Sequence, residues 1–254
     1  MGSNLSALNA IEVCGFRFAY PDGTDALRDI GIAIAVGERV ALLGANGAGK
    51  STLLLAMGAI LRGTGTVRIL GTEVERSTVA AIRRRIGLVF QDPDDQLFLP
   101  TILDDVAFGP LNAGASRGEA DRVASETLAA VGLADLAPKP ASRLSHGQRK
   151  RAALATALAM RPEILLLDEP TSGLDAVGRR EAIAFLARRE QTLVFSTHDL
   201  DLTAEIADRI VVLEEGRIAC DGPASELLSR TEFFDRHGLR PGDAYLRLMA
   251  LLAR

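Results

Sequence analysis

Apolar and polar residues alternate along two stretches near the N-terminus. One stretch covers residues 11 to 20, the other covers residues 30 to 36, and Tyr-Pro-Asp-Gly at positions 20 to 23 lies between them. Alternation is typical of strands with one buried face, and Pro and Gly preset the backbone angles of a turn. We therefore predict an antiparallel β layer. The residues expected on its buried faces are Cys14, Phe16, Phe18, Ile30, Ile32, Ile34 and Val36.

Short, uninterrupted apolar runs predict a second kind of strand. These runs occupy residues 40 to 43, 86 to 90, 164 to 167 and 193 to 195. Runs of this length that alternate with helical segments, such as the one expected over residues 49 to 61, are typical of a parallel sheet covered on both faces. The fold class that follows is α/β.

Helical patterns replace the strand signal in the middle of the chain. Helices are predicted over residues 102 to 108, 119 to 131 and 148 to 160. Because these segments follow one another without an intervening strand, we expect an α-helical subdomain, about residues 92–160, inserted into the α/β core.

The last part of the chain, residues 223–254, is expected to be a short helical extension behind a domain that spans residues 1–222. Pro223 suits the first position of a helix over residues 224 to 230. An apolar stripe follows at Tyr245, Leu248, Leu251 and Leu252. Such a stripe marks a buried helix face, which packs either on its own subunit or on a second copy of the chain.

Charge and composition exclude several classes of protein. The 254 residues include 29 basic and 33 acidic side chains, so the formal net charge is −4 and we expect no nucleic-acid partner held by phosphate neutralisation. Hydrophobic residues make up 48% of the chain, which excludes disorder as its main state. No apolar run approaches the roughly 18 residues of a transmembrane helix, and the N-terminus lacks a signal-peptide pattern, so a cytoplasmic location is expected.

The two cysteines carry no metal or disulfide signal. Cys14 and Cys220 stand far apart and outside any CxxC spacing. Disulfide frameworks and zinc ribbons need paired or clustered cysteines. Both residues are therefore predicted to be small core side chains.

A glycine-rich segment at residues 44 to 52 matches the phosphate-loop pattern GxxxxGK[ST]. It follows an apolar strand and opens a helix, and roughly 0.003 chance matches are expected in a chain of this composition. Backbone N–H groups and the helix N-terminus would surround phosphate oxygens, Lys50 would reach the β and γ phosphates, and Ser51 would bind Mg²⁺. The residues predicted to bind nucleotide here are Gly44, Ala45, Asn46, Gly47, Ala48, Gly49, Lys50, Ser51 and Thr52.

Two carboxylates end the apolar run at residues 164 to 167. In open α/β sheets, ligands bind at the carboxyl ends of the strands, where Asp168 and Glu169 are expected to lie. Asp168 is suited to the Mg²⁺ shell and Glu169 to orienting or deprotonating an attacking water. An Asp-Glu pair after a strand is weak evidence alone, but it becomes strong behind a phosphate loop.

A second polar segment, Leu-Ser-His-Gly-Gln at residues 144 to 148, precedes a helix. Ser145 and Gln148 have the spacing of a capping box. The next residues, Arg149, Lys150 and Arg151, are cations in a first turn where the helix dipole favours anions. Either this helix end faces a polyphosphate or an acidic partner, or it is a solvated basic face.

Taken together, these segments resemble the nucleotide-binding subunit of ATP-binding cassette (ABC) transporters over residues 11 to 222. The segment at 144 to 148 is similar to the LSGGQ signature of that family. Further similarities are Tyr20 to the aromatic residue that stacks on adenine, Gln91 to the Q-loop glutamine, Asp175 to the D-loop aspartate and His198 to the switch histidine.

The resemblance implies an α/β P-loop NTPase core of the RecA-like type that binds ATP and Mg²⁺. It also implies a head-to-tail dimer, in which Ser145 and Gly147 of one subunit touch the γ-phosphate held by the other. The implied catalytic residues are Lys50, Glu169 and His198. The implied Mg²⁺ shell is Ser51, Gln91 and Asp168.

Two segments narrow the resemblance. Residues 91 to 98 and 104 to 110 look like the region after the Q-loop in energy-coupling factor (ECF) importers, which combine a membrane scaffold with a substrate-capturing membrane protein. His146 replaces the second glycine of the signature, and LSHGQ followed by basic residues is similar to the cobalt and nickel group. A side chain at position 146 implies that no glycine-only backbone is needed there. The implied protein is a peripheral motor on the cytoplasmic face of the membrane that imports cobalt or nickel.

Other functions remain open at this stage. One alternative is an ABC ATPase that powers the uptake of another micronutrient, such as a vitamin. A soluble ABC ATPase that clamps nucleic acid or ribosomes is the alternative from another class, but members resembling it carry coiled-coil insertions or two cassettes. A small-molecule P-loop kinase would lack the ordered set formed by Gln91, LSHGQ, Asp175 and His198.

Four aspartates after the Q-loop allow two interpretations. Asp94, Asp95, Asp104 and Asp105 would form either a divalent-metal site or a solvated or docking surface. Transported ions should pass through the membrane subunits, so the surface is favoured. We expect residues 94 to 98 to contact the cytoplasmic helices of the scaffold, with Leu97 and Phe98 as apolar anchors.

Overall fold

Two β-sheets organise the residues that the computed structural model describes, 9–229. The apolar stripe from Tyr245 to Leu252 lies outside them. The strands are β1 (Asn9–Ala19), β2 (Asp25–Ala35), β3 (Arg39–Leu43), β4 (Thr64–Ile69), β5 (Thr72–Glu73), β6 (Ile86–Val89), β7 (Ile164–Asp168), β8 (Thr192–Ser196), β9 (Arg209–Glu214) and β10 (Arg217–Pro223). The helices are α1 (Lys50–Met57), α2 (Val79–Arg83), α3 (Ile102–Asn112), α4 (Arg117–Ala130), α5 (His146–Leu158), α6 (Ala176–Ala187), α7 (Leu200–Ile206) and α8 (Ala224–Leu227).

The first sheet is the antiparallel layer expected from the alternating residues. Its strand order is β2-β1-β4-β5, and β1 pairs antiparallel with both β2 and β4. The sequence pattern predicted β1 and β2 but not β4 or β5. Its inward side chains, including Ile11, Phe16 and Ile30, pack into one apolar cluster with α1 and the parallel sheet.

A β-bulge in β1 overturns the prediction that Cys14 is a core residue. Val13 pairs with Ile32 and Phe16 pairs with Ile30, so β1 contains one more residue than β2 between these pairs. A bulge of this kind reverses the alternation of faces. Cys14 is therefore exposed, whereas Val13 and Phe16 are buried.

Two smaller predictions about buried residues also need correction. Val36 is exposed because it lies in the turn after β2 has ended. Cys220 is half-buried rather than buried, because it lies on β10, where half-buried and exposed positions alternate.

The second sheet has the order β10-β9-β3-β8-β7-β6 and is parallel except for the antiparallel pair of β9 and β10. The apolar runs expected to be buried strands are β3, β6, β7 and β8, and every residue of β8 is buried. The run of β9, which was not predicted, completes the covered part of the sheet. The helix expected at residues 49 to 61 ends earlier, at Met57.

Three longer helices lie between β6 and β7 in the chain. α3, α4 and α5 pack around a separate apolar cluster that includes Ile102, Val106, Leu128 and Ala152. Pro223 precedes α8 as its cap and belongs to β10, so it does not occupy the first helical position. Within residues 9–229, no helix is long and apolar enough to span a lipid bilayer.

The bulge predicts a small loss of stability for one substitution and a large loss for a substitution at the neighbouring residue. Cys14→Ser should change the free energy of unfolding by less than about 0.5 kcal/mol, because the side chain is exposed. Val13→Ser, the matched control, should cost about 2 kcal/mol or more, since it removes a buried apolar side chain and buries a hydroxyl. Urea unfolding followed by circular dichroism measures both values. Similar costs for the two variants would contradict the bulged register.

Candidate functional site

Four polar segments meet at the carboxyl edge of the parallel sheet. The phosphate loop follows β3, and Gln91 follows β6. Asp168 ends β7 with Glu169 directly after it, and His198 follows β8. These strands are neighbours in the sheet, and Asp168 pairs with Ser196 of β8. Because parallel strands end at the same edge, residues that are up to about 150 positions apart in the chain share one site.

Glycines give the phosphate loop its shape. Gly44 and Gly49 have φ angles of 142° and 104°, in the region that favours glycine. A Cβ on Gly44 would lie 2.3 Å from the Leu213 carbonyl oxygen, and one on Gly49 would lie 2.7 Å from the Ala26 carbonyl oxygen. The loop is therefore packed between the antiparallel layer and β9, and neither glycine can carry a side chain without movement of the backbone.

Lys50 directs its ammonium group into this loop. Lys50 begins α1 and is buried, and its Nζ donates hydrogen bonds to the carbonyl oxygens of Gly44 at 2.9 Å and Ala45 at 3.0 Å. In the first turn of α1, Thr52 Oγ1 lies 3.1 Å from the Tyr20 hydroxyl, and the partly exposed Tyr20 ring stands edge-on to Phe18. The aromatic residue singled out in the sequence thus lies beside the phosphate-loop helix.

Ser196 holds both acidic residues at the end of β7. Its hydroxyl donates to Asp168 Oδ1, and the N–H of Glu169 lies 3.1 Å from Ser196 Oγ and 3.2 Å from the Ser196 carbonyl oxygen. Glu169 has a φ of 47°, a left-handed conformation that costs a non-glycine residue about 1–3 kcal/mol. Sequence reasoning missed Ser196, because a serine after an apolar run has many other possible roles.

The Glu169 carboxylate is buried and has one free acceptor. Its Oε1 lies 3.0 Å from Nδ1 of His198, whose side chain is 73% exposed. Its Oε2 has no hydrogen-bond partner among residues 9–229, although it is buried. Buried polar atoms are nearly always paired, so this unpaired carboxylate oxygen is an exception, and solvent does not reach it in this conformation of the site.

Asp199 anchors the segment that carries His198. It caps α7, accepts hydrogen bonds from Thr171 and Arg179, and is largely buried. Burial, the largest single influence, raises the pKa of Asp199, but the hydrogen bonds from Arg179, the Leu202 N–H and Thr171 outweigh it. The pKa of Asp199 therefore lies below its usual value of 3.8.

The signature segment begins α5 as the sequence predicted. Ser145 and Gln148 form the full capping box, with the Gln148 N–H donating to Ser145 Oγ and the Ser145 N–H donating to Gln148 Oε1. His146 lies in helical conformation, so position 146 needs no glycine. Its ring packs on Gly173, where a Cβ would lie 2.8 Å from His146 Nε2. Ser145 is exposed, and Asp175 caps α6 by accepting from the Gly178 N–H at 2.7 Å.

The structure does not bring all predicted site residues to the phosphate loop. Within residues 9–229, no hydrogen bond joins Ser145, Gly147 or Asp175 to that loop. Gln91 lies at the sheet edge and is exposed. The head-to-tail dimer implied by the family resemblance would account for this separation, and these roles stay predictions.

The three cations after Gln148 have partners within their own chain. Arg149 contacts the Leu144 carbonyl and Asp94, and Arg151 contacts the Val131 carbonyl and Glu181. Lys150 is buried and donates to the Glu169 carbonyl at 2.6 Å. The expectation of a solvated basic face or of a facing polyphosphate is therefore wrong for Lys150, because its side chain points into the protein.

The aspartates after the Q-loop hold local structure. Thr101 caps α3, and Asp104 in the first turn accepts a hydrogen bond from the Thr101 hydroxyl and pairs with Arg117. Asp105 is buried and accepts from the N–H groups of Phe98 and Leu99. Its burial raises its pKa, although these two hydrogen bonds act to lower it. In the part of the chain that the structure describes, no three His, Cys, Asp or Glu side chains form a group suited to a metal ion.

Leu97 and Phe98 have opposite environments. Leu97 is 7% exposed and packs in the cluster around α3 to α5, so the prediction that it is an apolar anchor is wrong. Phe98 is 65% exposed and stands edge-on to Phe108, with ring centroids 5.5 Å apart. Phe98 and Phe108 therefore form an exposed aromatic pair. Phe108 was not singled out in the sequence, because its exposure depends on how α3 packs against α4 and α5.

The comparisons with known proteins agree with this geometry. A model of the ABC transporter family matches residues 27–172. The cobalt import ATP-binding protein CbiO of Rhodobacter capsulatus is 47% identical over 88% of this chain and 82% of its own length. The energy-coupling factor transporter ATP-binding protein EcfA of Methanocaldococcus jannaschii is 44% identical over 91% of this chain and 85% of its own length.

A solved structure supports the same conclusion. CbiO1 from Clostridium perfringens, described as part of the ABC transporter complex CbiONQ, is 35% identical, with a TM-score of 0.79 over 97% of this chain and 99% of its own. The chain therefore belongs to the ABC transporter family. As a member it is an ATPase coupled to transport, and the expected P-loop fold with an antiparallel layer is confirmed. The resemblance to ATPase subunits of ECF importers is confirmed as well.

The Asp199 environment predicts a pH-dependent loss of stability. Asp199→Asn should lower the free energy of unfolding by about 2 kcal/mol at pH 7, because a charged hydrogen bond is lost while asparagine still caps α7. A carboxyl group whose pKa is lower in the folded protein than in the unfolded chain stabilises the fold at pH values above the unfolded pKa, about 3.8. This stabilisation is lost as the pH falls through the folded pKa. The difference between variant and wild type should therefore be constant from pH 7 to pH 5 and shrink below about 3.8.

Urea unfolding at pH 7, 5 and 3 measures this difference. Asp201→Asn is the matched control, because Asp201 also contacts Arg179 but is exposed. It should cost no more than about 0.5 kcal/mol. Equal losses of unfolding free energy for the two variants at pH 7 would contradict the stabilising role assigned to Asp199.

Proposed function

We propose that this chain is the ATP-hydrolysing subunit of an ECF-type importer for a divalent metal ion, cobalt or nickel. The observation that carries the catalytic part is the Glu169 carboxylate, with one oxygen held by His198 and the other without a partner among the described residues. It lies at the same sheet edge as Lys50. The relatives named for cobalt import and energy coupling support the transport part.

In this proposal the nucleotide lies along the phosphate loop. The backbone N–H groups from Gly44 to Thr52 and the Lys50 ammonium group bind the phosphate oxygens, and Tyr20 packs against the adenine. Loop amides and a buried ammonium group are aimed at the charge that develops on the transferred phosphoryl group, which is the main source of rate enhancement in such reactions.

Glu169 acts as the general base. In this proposal Oε2, which solvent does not reach in the present conformation, becomes accessible when nucleotide and the second subunit bind, and it then accepts a proton from the attacking water. The hydrogen bond between Oε1 and His198 Nδ1 keeps the carboxylate in place. The other ring nitrogen of His198, on a largely exposed side chain, remains available to donate to the γ-phosphate. Sequence position alone suggested these roles, and the shared hydrogen bond supports them.

The oxygen donors at the sheet edge fit Mg²⁺. Ser51, Gln91 and Asp168 offer a hydroxyl, an amide and a carboxylate oxygen, which are the hard ligands that this ion prefers, and Ser196 occupies one oxygen of Asp168. When bound, Mg²⁺ would neutralise charge on the phosphate oxygens. The small number of carboxylates agrees with a site that is completed by phosphate oxygens.

A second copy of the chain completes the site. Ser145 and Gly147 stand at the N-terminus of α5, a helix of 13 residues, and Ser145 is exposed. Exposed N–H groups at a helix N-terminus bind phosphate well. We infer that they meet the γ-phosphate held by the partner copy, with Asp175 at the same interface, so that ATP joins two subunits and hydrolysis releases them.

The membrane partners are a scaffold subunit and a substrate-capture subunit, which hold the motor at the cytoplasmic face of the membrane. The exposed pair formed by Phe98 and Phe108 offers an apolar anchor beside the acidic residues Asp94 and Asp95. The same machinery would serve another micronutrient if the capture subunit differed, because the transported ion does not meet the ATPase.

Removing only the base should trap the ATP-bound dimer. Glu169→Gln keeps every binding group but loses proton acceptance, so hydrolysis should fall at least about 100-fold and the protein should elute as a dimer with saturating ATP and Mg²⁺. Size-exclusion chromatography with light scattering measures this mass. Lys50→Ala in the same background is the control, and it should remain monomeric because nucleotide binding is lost. A Glu169→Gln protein that stays monomeric at saturating ATP would overturn the dimer.

A charge at the aromatic pair should uncouple the motor from its scaffold. Phe98→Asp should leave ATP binding intact. It should reduce copurification with the membrane subunits at least about tenfold, and it should reduce labelled-cobalt uptake, measured with nickel as the competitor, by the same factor. Val36→Asp, at an exposed valine in the turn that follows β2, is the matched control. Normal assembly and uptake by Phe98→Asp would contradict this docking site. Copurification of the wild type with ribosomes or nucleic acid would instead support the clamp.

A further inference from the structure

Lys150 is a buried charged residue that the proposed mechanism does not use. Only three lysines occur in the chain, at positions 50, 139 and 150. Lys150 lies in the second turn of α5 and its Nζ donates to the Glu169 carbonyl oxygen at 2.6 Å. This hydrogen bond joins the helix that begins at the signature serine to the residue that carries the general base.

The backbone of Glu169 depends on such contacts because its conformation is intrinsically unfavourable. Its φ of 47° lies in the left-handed region. Ser196 holds its N–H group, and its carbonyl accepts from Lys150 Nζ and from the Ser172 N–H at 3.2 Å. The direction in which the carboxylate points follows from this backbone. Without Lys150, the longer hydrogen bond from Ser172 alone would hold the carbonyl.

Burial acts on the charge of Lys150 more strongly than the carboxylates around it, so the pKa of Lys150 is lowered overall. Burial, the largest influence, lowers the pKa of Lys150, whereas the nearby carboxylates of Glu169, Asp168 and Asp92 act to raise it. A buried ammonium group is unfavourable unless it is paired and hydrogen-bonded. An apolar residue would fill the same space without this penalty, so the charge and the donor indicate a role beyond packing.

The face of α5 that carries Lys150 also contacts the loop after β7 at Gly173, four residues beyond Glu169. His146 stands four positions before Lys150, so both side chains lie on one face of the helix. The His146 ring packs on Gly173, which has a φ of 73°. The helix thus touches the segment at Glu169 and again at Gly173, directly beside the exposed Ser145 that caps its N-terminus.

We propose that Lys150 is a positioning residue for ATP hydrolysis, which holds the Glu169 backbone so that the carboxylate faces the water, and which ties this alignment to the signature helix of the same subunit. The proposal rests on the proposed role of Glu169 as the general base. A displacement of α5, when Ser145 engages the nucleotide of the partner copy, would then be transmitted to the base through a single hydrogen bond.

Lys150→Met tests this role, because methionine has a similar length but carries neither charge nor donor. We expect kcat to fall at least tenfold while the KM for ATP stays within twofold, since the hydrogen bond of Lys150 goes to Glu169 and none joins it to the phosphate loop among the described residues. Lys139→Met is the matched control, because it makes the same chemical change at an exposed lysine. It should hydrolyse ATP at the wild-type rate.

A double variant separates positioning from general destabilisation. In the Glu169→Gln background, single-turnover hydrolysis of labelled ATP gives a low residual rate. If Lys150 acts through Glu169, adding Lys150→Met should change this residual rate less than twofold, because the group it positions is already absent. The double variant should still form the ATP-bound dimer, which shows that it folds and binds nucleotide.

The outcomes distinguish this inference from the proposed function. If Glu169→Gln does not reduce hydrolysis, the proposed role of Glu169 is wrong and the inference fails with it. If Glu169→Gln abolishes hydrolysis but Lys150→Met behaves like Lys139→Met, only the inference is overturned. A tenfold further loss in the double variant, or a double variant that no longer dimerises with ATP, would also overturn it, because Lys150 would then act independently of the base.

Discussion

Parallel pairing of β6, β7, β8 and β3 is the constraint on which the site depends. The strands are buried on both faces, and their in-line pairing aligns Leu42, Ser196 and Asp168 at one edge. Burial leaves the backbone groups of these strands no partner other than one another, so the alignment cannot slip by a residue without losing hydrogen bonds and exposing apolar side chains. The four functional segments inherit their relative positions from this register.

At two positions of the site, the chain leaves the parallel sheet with a left-handed or glycine-favoured backbone. Gly44 and Glu169 both follow strands and both have positive φ angles, but only the first is a glycine. At Gly44 a side chain is excluded by the Leu213 carbonyl, whereas Glu169 carries the side chain proposed as the general base and is held by Ser196 and Lys150. The unfavourable backbone at Glu169 therefore persists because hydrogen bonds from two other elements stabilise it.

Much of the architecture could be predicted from the sequence because its signals are local. The apolar runs of β3, β7 and β8 and the glycine pattern at 44 to 52 are short and have few alternative interpretations. The predictions failed where a tertiary contact decided the outcome. The bulge that exposes Cys14 depends on pairing with β2, and Leu97 is buried by helices that lie later in the chain. Likewise, the partners of Lys150 and Ser196 are known only once β7 is placed.

The packing around the phosphate loop has a further consequence for ligand binding. Gly49 lies against the Ala26 carbonyl, and the Gly216 N–H donates to the Ala48 carbonyl at 3.1 Å, so the antiparallel layer and the turn between β9 and β10 enclose the loop from behind. A loop held in this way has few conformations to lose when a nucleotide arrives. The entropic cost of ordering the phosphate loop is met when the chain folds. The interaction of the phosphates with the loop can therefore contribute fully to nucleotide affinity and to joining the subunits.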